Sequence, residues 1–204
     1  MLCRALEASP PAIADQVRVT LLRRPASLAW FHQHSANDAQ VVVNTKASVR
    51  DFREDTILTY EGVLGQLRLS LAELGREKVN IFYLHQPDQR AVLEDALRAC
   101  NELHQQGLFA ELGLSNFPAW QVVQVYYKCR AEGWVLPTVY QVHYNPLFRQ
   151  PEDELIPAVR MLGMRIHCCE PPISSLSPWC VCALFRSSLG VLVGRLADGG
   201  RAAG

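Results

Sequence analysis

Hydrophobic and polar positions follow two different periods between residues 40 and 170, and these periods predict strands and helices in turn. Short runs of β-branched and aromatic residues predict five buried strands. Apolar residues three and four positions apart predict four amphipathic helices between them. The predicted strands cover residues 41–43 extending toward Lys46, 79–84, 109–114, 138–142 and 165–169.

Each predicted helix is marked by an apolar stripe. The stripes are Ile57, Tyr60, Leu64, Leu67, Leu71 and Leu74; Leu93, Leu97, Cys100 and Leu103; Val122, Val125, Tyr126 and Cys129; and Leu155, Ile156, Val159 and Leu162. Gly75, Gly107 and Gly163 follow three of these stripes, as is common just past a helix C-terminus. Pro118 precedes the third stripe, where a first helical turn tolerates proline.

Regular β-α alternation predicts parallel strands joined by right-handed helical crossovers. An open doubly wound sheet and an eight-stranded barrel both fit this order. No G-x-G-x-x-G sequence follows a predicted strand, which disfavours a dinucleotide-binding doubly wound sheet. Polar residues at four successive strand ends favour the barrel, because functional side chains gather at the carboxyl ends of barrel strands.

The predicted fold class is therefore α/β, of the (β/α)8 TIM-barrel type. A complete barrel takes about 250 residues, so the barrel is expected to be incomplete. About five β-α units are recognisable, with the first two strands and the last strand missing or altered. The expected organisation is a divergent segment over 1–39, a partial barrel over 40–170, and a divergent tail over 171–204 with a composition typical of disorder.

Composition narrows the function classes. Twenty basic residues balance twenty acidic ones, which argues against nucleic-acid or anionic-membrane binding. No apolar run approaches the roughly 18–20 residues of a membrane span, and the N-terminus lacks a secretory apolar region. Seven irregularly spaced cysteines predict reduced thiols and a cytoplasmic location. Cys180 and Cys182 lack a second ligand pair, so no metal site is expected.

The strand ends suggest a chemistry. Lys46 and His85 end adjacent predicted strands, and Ser115-Asn116 and Gln141 end the next two. Histidine can donate a hydrogen bond to a carbonyl, and an ammonium lowers the pKa of a neighbouring phenol. Serine and side-chain amides offer donors and acceptors suited to a carboxamide. Together these groups indicate hydride transfer from a nicotinamide to a carbonyl.

Each of these residues also has a purely structural interpretation. Lys46 would then be a solvated surface residue, and His85 would cap its strand end. Ser115-Asn116 would form the N-cap of the following helix, and Gln141 would be a buried hydrogen-bonding side chain. His143 and Tyr144 follow Gln141 and are candidates to line a substrate pocket. His167 and Cys168 are expected to serve core packing.

Several sequence strings resemble the aldo-keto reductases, and within them the aflatoxin-aldehyde reductase subfamily. The strings are NTK (44–46), IFYLHQPD (81–88), ELGLSNF (111–117) and PTVYQVHYN (137–145), and the likeness covers about 40–170. It implies a barrel that reduces aldehydes and ketones with NADPH, and a homodimer as in related reductases. It assigns catalysis to Lys46 and His85 and nicotinamide carboxamide binding to Ser115, Asn116 and Gln141. His85 is also expected to bind the substrate, as is Tyr144 because of its position after Gln141.

This sequence also departs from the family pattern at several positions. The family's catalytic tyrosine and aspartate precede its lysine, whereas residues 1–45 contain no tyrosine, and Asp15 and Asp38 lack the family context. Cys169 takes the place of an aromatic residue that stacks on the nicotinamide. The final strand and the basic segment that binds the 2′-phosphate of NADPH have no counterpart.

Three functional hypotheses follow. The first is an NADPH-dependent reductase of aldehydes and ketones with impaired or absent turnover, since the catalytic acid is missing. The second is a non-catalytic binding or regulatory subunit. The third is a truncated splice product without independent function. A small-molecule carbonyl is the expected substrate, and nucleic acid and membrane are not expected partners.

Overall fold

The described part of the chain contains six parallel strands and four α-helices, and the helices lie between successive strands from the second strand onward. The computed structural model describes residues 17–21, 41–49, 57–145 and 147–169. The strands are β1 (Val17–Leu21), β2 (Val41–Ala47), β3 (Val79–Leu84), β4 (Phe109–Ser115), β5 (Pro137–His143) and β6 (Arg165–Cys169). The helices are α1 (Tyr60–Leu74), α2 (Leu93–Gln105), α3 (Ala119–Glu132) and α4 (Leu155–Met161), with a 3-10 turn at Gln150–Glu152.

The strands form one sheet in chain order, β1-β2-β3-β4-β5-β6, and every neighbouring pair is parallel. The five predicted strands and the parallel α/β arrangement are confirmed. Within the described residues, β1 and β6 are edge strands, so the sheet is not closed there. This is the architecture of a partial (β/α)8 barrel.

The sheet is strongly curved. The Tyr83 hydroxyl of β3 lies 2.8 Å from Nδ1 of His167 in β6, although β4 and β5 lie between these strands. Neighbouring strands are about 4.8 Å apart, so a flat sheet would separate β3 and β6 by about 14 Å. The direct contact therefore requires a concave face, which we call the inner face.

The convex outer face packs against the helices. Phe82 and Leu84 of β3 belong to the main hydrophobic core with Leu97 and Leu103 of α2. Ile81 and Tyr83, the alternate residues of the same strand, form a separate small cluster with Val139. Successive strand residues point to opposite faces, so the two clusters mark the two faces of the sheet.

The helix boundaries follow from local chemistry. Thr59 caps α1 by accepting a hydrogen bond from the Gly62 N–H, and Gly75 ends the helix in the left-handed conformation with φ 61°. Such a conformation costs glycine no Cβ clash. The first helix therefore begins three residues later than its predicted stripe.

Three details of the sequence prediction need correction. Strand β1 was not predicted, although it lies within the segment 1–39. Ile57 precedes α1 and is 39% exposed, whereas the unpredicted Val63 is fully buried. The position of Pro118 is the N-cap of α3 rather than its first turn. Gly163, by contrast, lies just past the C-cap of α4 with φ 70°, as predicted. The boundaries of the three predicted segments stay predictions.

Candidate active site

The predicted site residues lie together at the carboxyl edge of the sheet. Lys46 is paired in register with Tyr83, two residues before His85, on the neighbouring strand. Ser115 is paired with Gln141. Because β2, β3, β4 and β5 are consecutive neighbours, their carboxyl ends form one continuous edge. The structure therefore brings the four strand-end positions to one side of the fold.

Lys46 is buried within β2 and is only 8% exposed. Its Nζ lies 5.6 Å from the centroid of the Tyr83 ring, within the range of a cation–π interaction. Asn44, two residues earlier on the same face, uses its Oδ1 to accept a hydrogen bond of 2.9 Å from the Ile81 N–H. The interpretation of Lys46 as a solvated surface lysine is therefore wrong.

His85 follows β3 directly, and its ring is oriented by the loop after β2. Its Nδ1 lies 3.2 Å from Ser48 Oγ, and its backbone N–H donates to the Ala47 carbonyl at 2.9 Å. The Ser48 N–H in turn donates to Gln66 Oε1 on α1 at 2.8 Å. A ring fixed in this way can present its other nitrogen to a ligand.

Ser115 ends β4 and is 3% exposed. Asn116 follows it with a positive φ of 58°, the one non-glycine residue of this kind in the described ranges; asparagine tolerates this conformation better than most residues. Its Nδ2 donates to the His85 carbonyl at 2.8 Å and to Ser115 Oγ at 3.2 Å. The ends of β3 and β4 are thereby joined.

The alternative role of Ser115-Asn116 as a helix cap is wrong. Helix α3 has Pro118 at its N-cap, without a side-chain hydrogen bond to the helix. Ser115 and Asn116 instead lie at the strand end facing the site. Gln141 of β5 is completely buried, as its structural interpretation required, but it is placed beside Ser115 rather than in the helix-packed core.

Tyr144 lies in the loop after β5, where an ion pair engages its hydroxyl. The hydroxyl donates to Glu152 Oε1 at 2.5 Å, and Arg149 binds both carboxylate oxygens of Glu152 at 2.8 Å. Burial, and then the hydrogen bond to Glu152, raise the pKa of Tyr144. A phenol whose proton is already donated to a carboxylate is a poor proton donor. The predicted substrate contact of Tyr144 would therefore come from its ring, and it stays a prediction.

The neighbouring His143 is also part of this loop. Its ring packs edge-on against Phe148 with centroids 4.8 Å apart, and its Nε2 lies 3.4 Å from Nδ2 of Asn145. Asn145 accepts hydrogen bonds from the Leu147 and Phe148 N–H groups through Oδ1. These contacts join His143, Asn145 and Phe148 at the edge of the site.

A second loop is held in place by Asp88. Its carboxylate accepts a hydrogen bond of 3.0 Å from the Leu58 N–H and pairs with Arg90 at 3.0 Å. Arg90 also donates to the Val49 carbonyl at 3.2 Å. Burial by itself would raise the pKa of Asp88, but these hydrogen bonds and the guanidinium lower it below its ordinary value. The segments after β2 and β3 are therefore tied together.

Three residues of the site were missed by the sequence analysis: Tyr83, Gly113 and His167. Tyr83 is completely buried and meets His167, which is 5% exposed. His167 was assigned to core packing, and it is buried, yet it faces the inner side of the sheet with Tyr83. The available signal was the alternation of strand residues, which places Tyr83 and His85 on one face.

The described residues limit other kinds of site. Among them, no group of three or more histidine, cysteine, aspartate or glutamate side chains could hold a metal ion. In the same part of the chain, no helix is long and apolar enough to cross a membrane. The side chain of Cys169, and Cys180 and Cys182 altogether, lie outside the described residues.

Comparison with known proteins places these observations in a family. The model of the aldo/keto reductase family matches residues 26–176. Aflatoxin B1 aldehyde reductase member 2 of Rattus norvegicus is 43% identical over 136 residues, 67% of this chain and 36% of the relative. Aldo-keto reductase family 7 member A3 of Homo sapiens is 44% identical over 135 residues, 66% of this chain.

A fungal relative extends the likeness. The aldo-keto reductase pigE of Monascus ruber is 41% identical over 101 residues, 50% of this chain and 30% of the relative. The match to the human protein covers 40% of its length. The chain thus spans well under two thirds of each of these relatives.

Proposed function

The chain belongs to the aldo/keto reductase family, and from this premise we propose that it binds a reduced nicotinamide dinucleotide and directs it at a small carbonyl compound. NADPH is the form that the sequence resemblance implies. The supporting observation is the placement of Lys46, His85, Ser115 and Gln141 at the ends of four consecutive neighbouring strands. The names of the three relatives contain aldehyde reductase or aldo-keto reductase, which agrees with this class of reaction.

The donor set fits a nicotinamide carboxamide. Ser115 and Gln141 are register partners, and a hydroxyl beside a side-chain amide offers both donors and acceptors. Asn116 is exposed and uses Nδ2 within the protein, which leaves its Oδ1 to accept from a carboxamide N–H. A bound nicotinamide would supply a hydride to the carbonyl carbon.

The protein side chains would orient and polarise the carbonyl. His85, fixed by Ser48, would donate a hydrogen bond to the carbonyl oxygen and draw charge toward it. The buried ammonium of Lys46 would stabilise negative charge that develops nearby, since such interactions are stronger away from bulk water. Tyr144 would contact the substrate from the loop after β5.

We propose that turnover is slow. Residues 1–45 contain no tyrosine, so the positioned phenol of the related reductases is missing before Lys46. Loss of a positioned acid costs about 10²–10⁴ in rate. A second candidate is accordingly a nicotinamide-binding protein without turnover. Binding of NADPH with no oxidation of the cofactor in the presence of an aldehyde would favour this second candidate.

Fluorescence titration with NADPH tests the proposal. We expect saturable binding, weakened about 5–15-fold by Gln141→Leu because a hydrogen bond contributes about 1–1.5 kcal/mol. Ser70→Ala is the matched control, since Ser70 is equally buried but donates its hydroxyl to the Gln66 carbonyl in α1. Oxidation of NADPH by 4-nitrobenzaldehyde is then measured on the same samples. Absence of binding, or equal effects of both substitutions, would contradict the proposal.

A further inference from the structure

Tyr83 lies flat on the inner face because its neighbour lacks a side chain. A Cβ built on Gly113 would lie 2.3 Å from Cδ1 and 2.4 Å from Cε1 of Tyr83. Both distances are far below van der Waals contact, so only glycine allows the ring in this position. Gly113 is the register partner of Tyr83 on β4. The ring therefore extends over β4 toward the far side of the concave face.

At the end of this ring, the hydroxyl forms a hydrogen bond with His167. The Tyr83 oxygen is 2.8 Å from His167 Nδ1, and both residues are buried. A neutral imidazole has one N–H and one acceptor nitrogen. When the phenol donates to Nδ1, the imidazole proton resides on Nε2. Nδ1 can then accept the phenol proton, and Nε2 carries a proton that it can donate.

His167 belongs to the same row as the residues proposed to hold the nicotinamide. It is the register partner of Gln141, which is the register partner of Ser115. Neighbouring strands are about 4.8 Å apart, so the imidazole begins one strand away from the proposed carboxamide site. A carbonyl that receives a hydride beside Gln141 would thus lie close to His167.

We propose that Tyr83 and His167 form a relay that delivers a proton to the carbonyl oxygen during the reduction. The relay takes the place of the phenol that residues 1–45 lack. The inference rests on the proposed function. As the carbonyl carbon gains its hydride, the C=O π electrons move to oxygen, and this oxygen takes the proton from Nε2. Nδ1 takes the proton of the Tyr83 hydroxyl in the same event. The imidazole stays neutral and a phenolate remains. Water later gives a proton to Nε2, and Nδ1 returns its proton to the phenolate, which restores the starting tautomer.

Lys46 stabilises the product of this transfer. Its Nζ lies 5.6 Å from the Tyr83 ring centroid, and a positive charge near a phenol favours its ionised form. The register pairing of Lys46 with Tyr83 fixes the two residues on neighbouring strands. The lysine would thus act on Tyr83 as it acts on the family tyrosine, from the strand beside it.

Other tyrosines in the described ranges are less suited to this role. The Tyr140 hydroxyl donates to the Phe117 carbonyl at 2.6 Å in the outer core. Tyr144 and Tyr60 donate to the carboxylates of Glu152 and Glu102. Tyr126 and Tyr127 lie on helix α3. Among the described tyrosines, Tyr83 is the one whose hydroxyl pairs with a histidine ring on the inner face.

The first test compares three variants in single-turnover oxidation of bound NADPH by 4-nitrobenzaldehyde. Tyr83→Phe keeps the ring but removes the proton, and His167→Gln removes the relay. We expect each to slow the transfer about 100-fold or more, while the Kd for NADPH changes less than about 2-fold. Tyr140→Phe is the matched control, because it also removes a buried hydroxyl and its hydrogen bond. Its rate should equal that of the unsubstituted protein.

The second test needs no cofactor. Nitrogen-15 spectra of histidine-labelled protein report which ring nitrogen bears the proton. We expect His167 as the Nε2–H tautomer, with the Nδ1 resonance displaced in Tyr83→Phe and unchanged in Tyr140→Phe. The Nδ1–H tautomer would overturn the relay, and so would an undiminished rate in Tyr83→Phe or NADPH binding without any oxidation. Failure of the unsubstituted protein to bind NADPH would instead overturn the proposed function.

Discussion

The two faces of the sheet are built from alternate residues of the same strands, yet they differ in chemistry. The outer face of β3 buries Phe82 and Leu84 against helices. The inner face of the same strand presents Tyr83, which contacts Lys46 and His167. Apolar packing on one side thus holds polar side chains in fixed positions on the other. Stability is expected to depend mainly on the outer face, and chemistry on the inner face.

Truncation of the outer core should have the largest effect on stability. Phe82 is completely buried and packs against Phe109, with ring centroids 5.5 Å apart. Phe82→Ala should lower the free energy of unfolding by about 3–5 kcal/mol through lost burial and the cavity left behind. Urea denaturation measures the change. Leu147→Ala, at a residue that is 90% exposed, should change it by less than about 0.5 kcal/mol.

A methyl group added on the inner face should lower the free energy of unfolding less than Phe82→Ala does. The size of this loss should depend on whether Tyr83 is present. Gly113→Ala places its Cβ against the Tyr83 ring, and overpacking of this kind costs about 1–3 kcal/mol. In the Tyr83→Ala background the clash is gone, so a double-mutant cycle should show coupling of at least about 0.5 kcal/mol. An equal cost of Gly113→Ala in both backgrounds would show that the ring does not occupy this position.

The loop held by Asp88 should make a smaller, pH-dependent contribution to the free energy of unfolding. Asp88→Asn should destabilise the fold by about 1–2 kcal/mol at neutral pH through its weakened charged hydrogen bonds. The lowered folded pKa means that this contribution is complete above the ordinary value of 3.8 and is lost as pH falls below it. Urea titrations from pH 7 to pH 3 measure the difference, with exposed Asp153→Asn as control. A difference that grows on acidification would contradict the assignment.

Of the regions compared, the exposed side of α2 should contribute least to the free energy of unfolding. Arg98 pairs with Asp95 at 3.0 Å and lies 4.6 Å from the Tyr60 ring centroid, but its side chain is 58% exposed. Solvent screens such pairs, so Arg98→Ala should change the free energy of unfolding by less than about 1 kcal/mol. Thermal denaturation at low and high salt provides the measurement. A loss of unfolding free energy comparable to that of Phe82→Ala would contradict the proposal that the outer core contributes more to stability than the surface does.

The outer face could be predicted from the sequence because it depends on periodicity. The spacing of Leu97, Cys100 and Leu103 predicts a helix face whatever its neighbours are, and these residues are completely buried. Strand β1 was missed because VRVTL is short and lies between segments without clear periodicity. The resemblance further allowed Lys46, His85 and Gln141 to be singled out before their positions were known.

The inner-face contacts could not be predicted in this way. Alternation in IFYLH places Tyr83 and Phe82 on opposite faces. Strands buried on both faces read as continuous apolar runs, however, so the sequence does not show which face carries the polar contacts. His167 contacts Tyr83 from 84 positions along the chain, and this contact depends on the curvature of the sheet. Gly113 acquires its meaning only from the ring that crosses it. Tertiary geometry, and not local pattern, determines these contacts.

Hydrogen–deuterium exchange with and without NADPH tests the central claim most directly, because it reports the location of binding residue by residue. We predict protection of amides at the carboxyl ends of β2 to β5, near Lys46, His85, Ser115 and Gln141, with little change in α2 and α3. Protection confined to the helices, or no protection at saturating NADPH, would contradict the assignment of the inner face as the nicotinamide site.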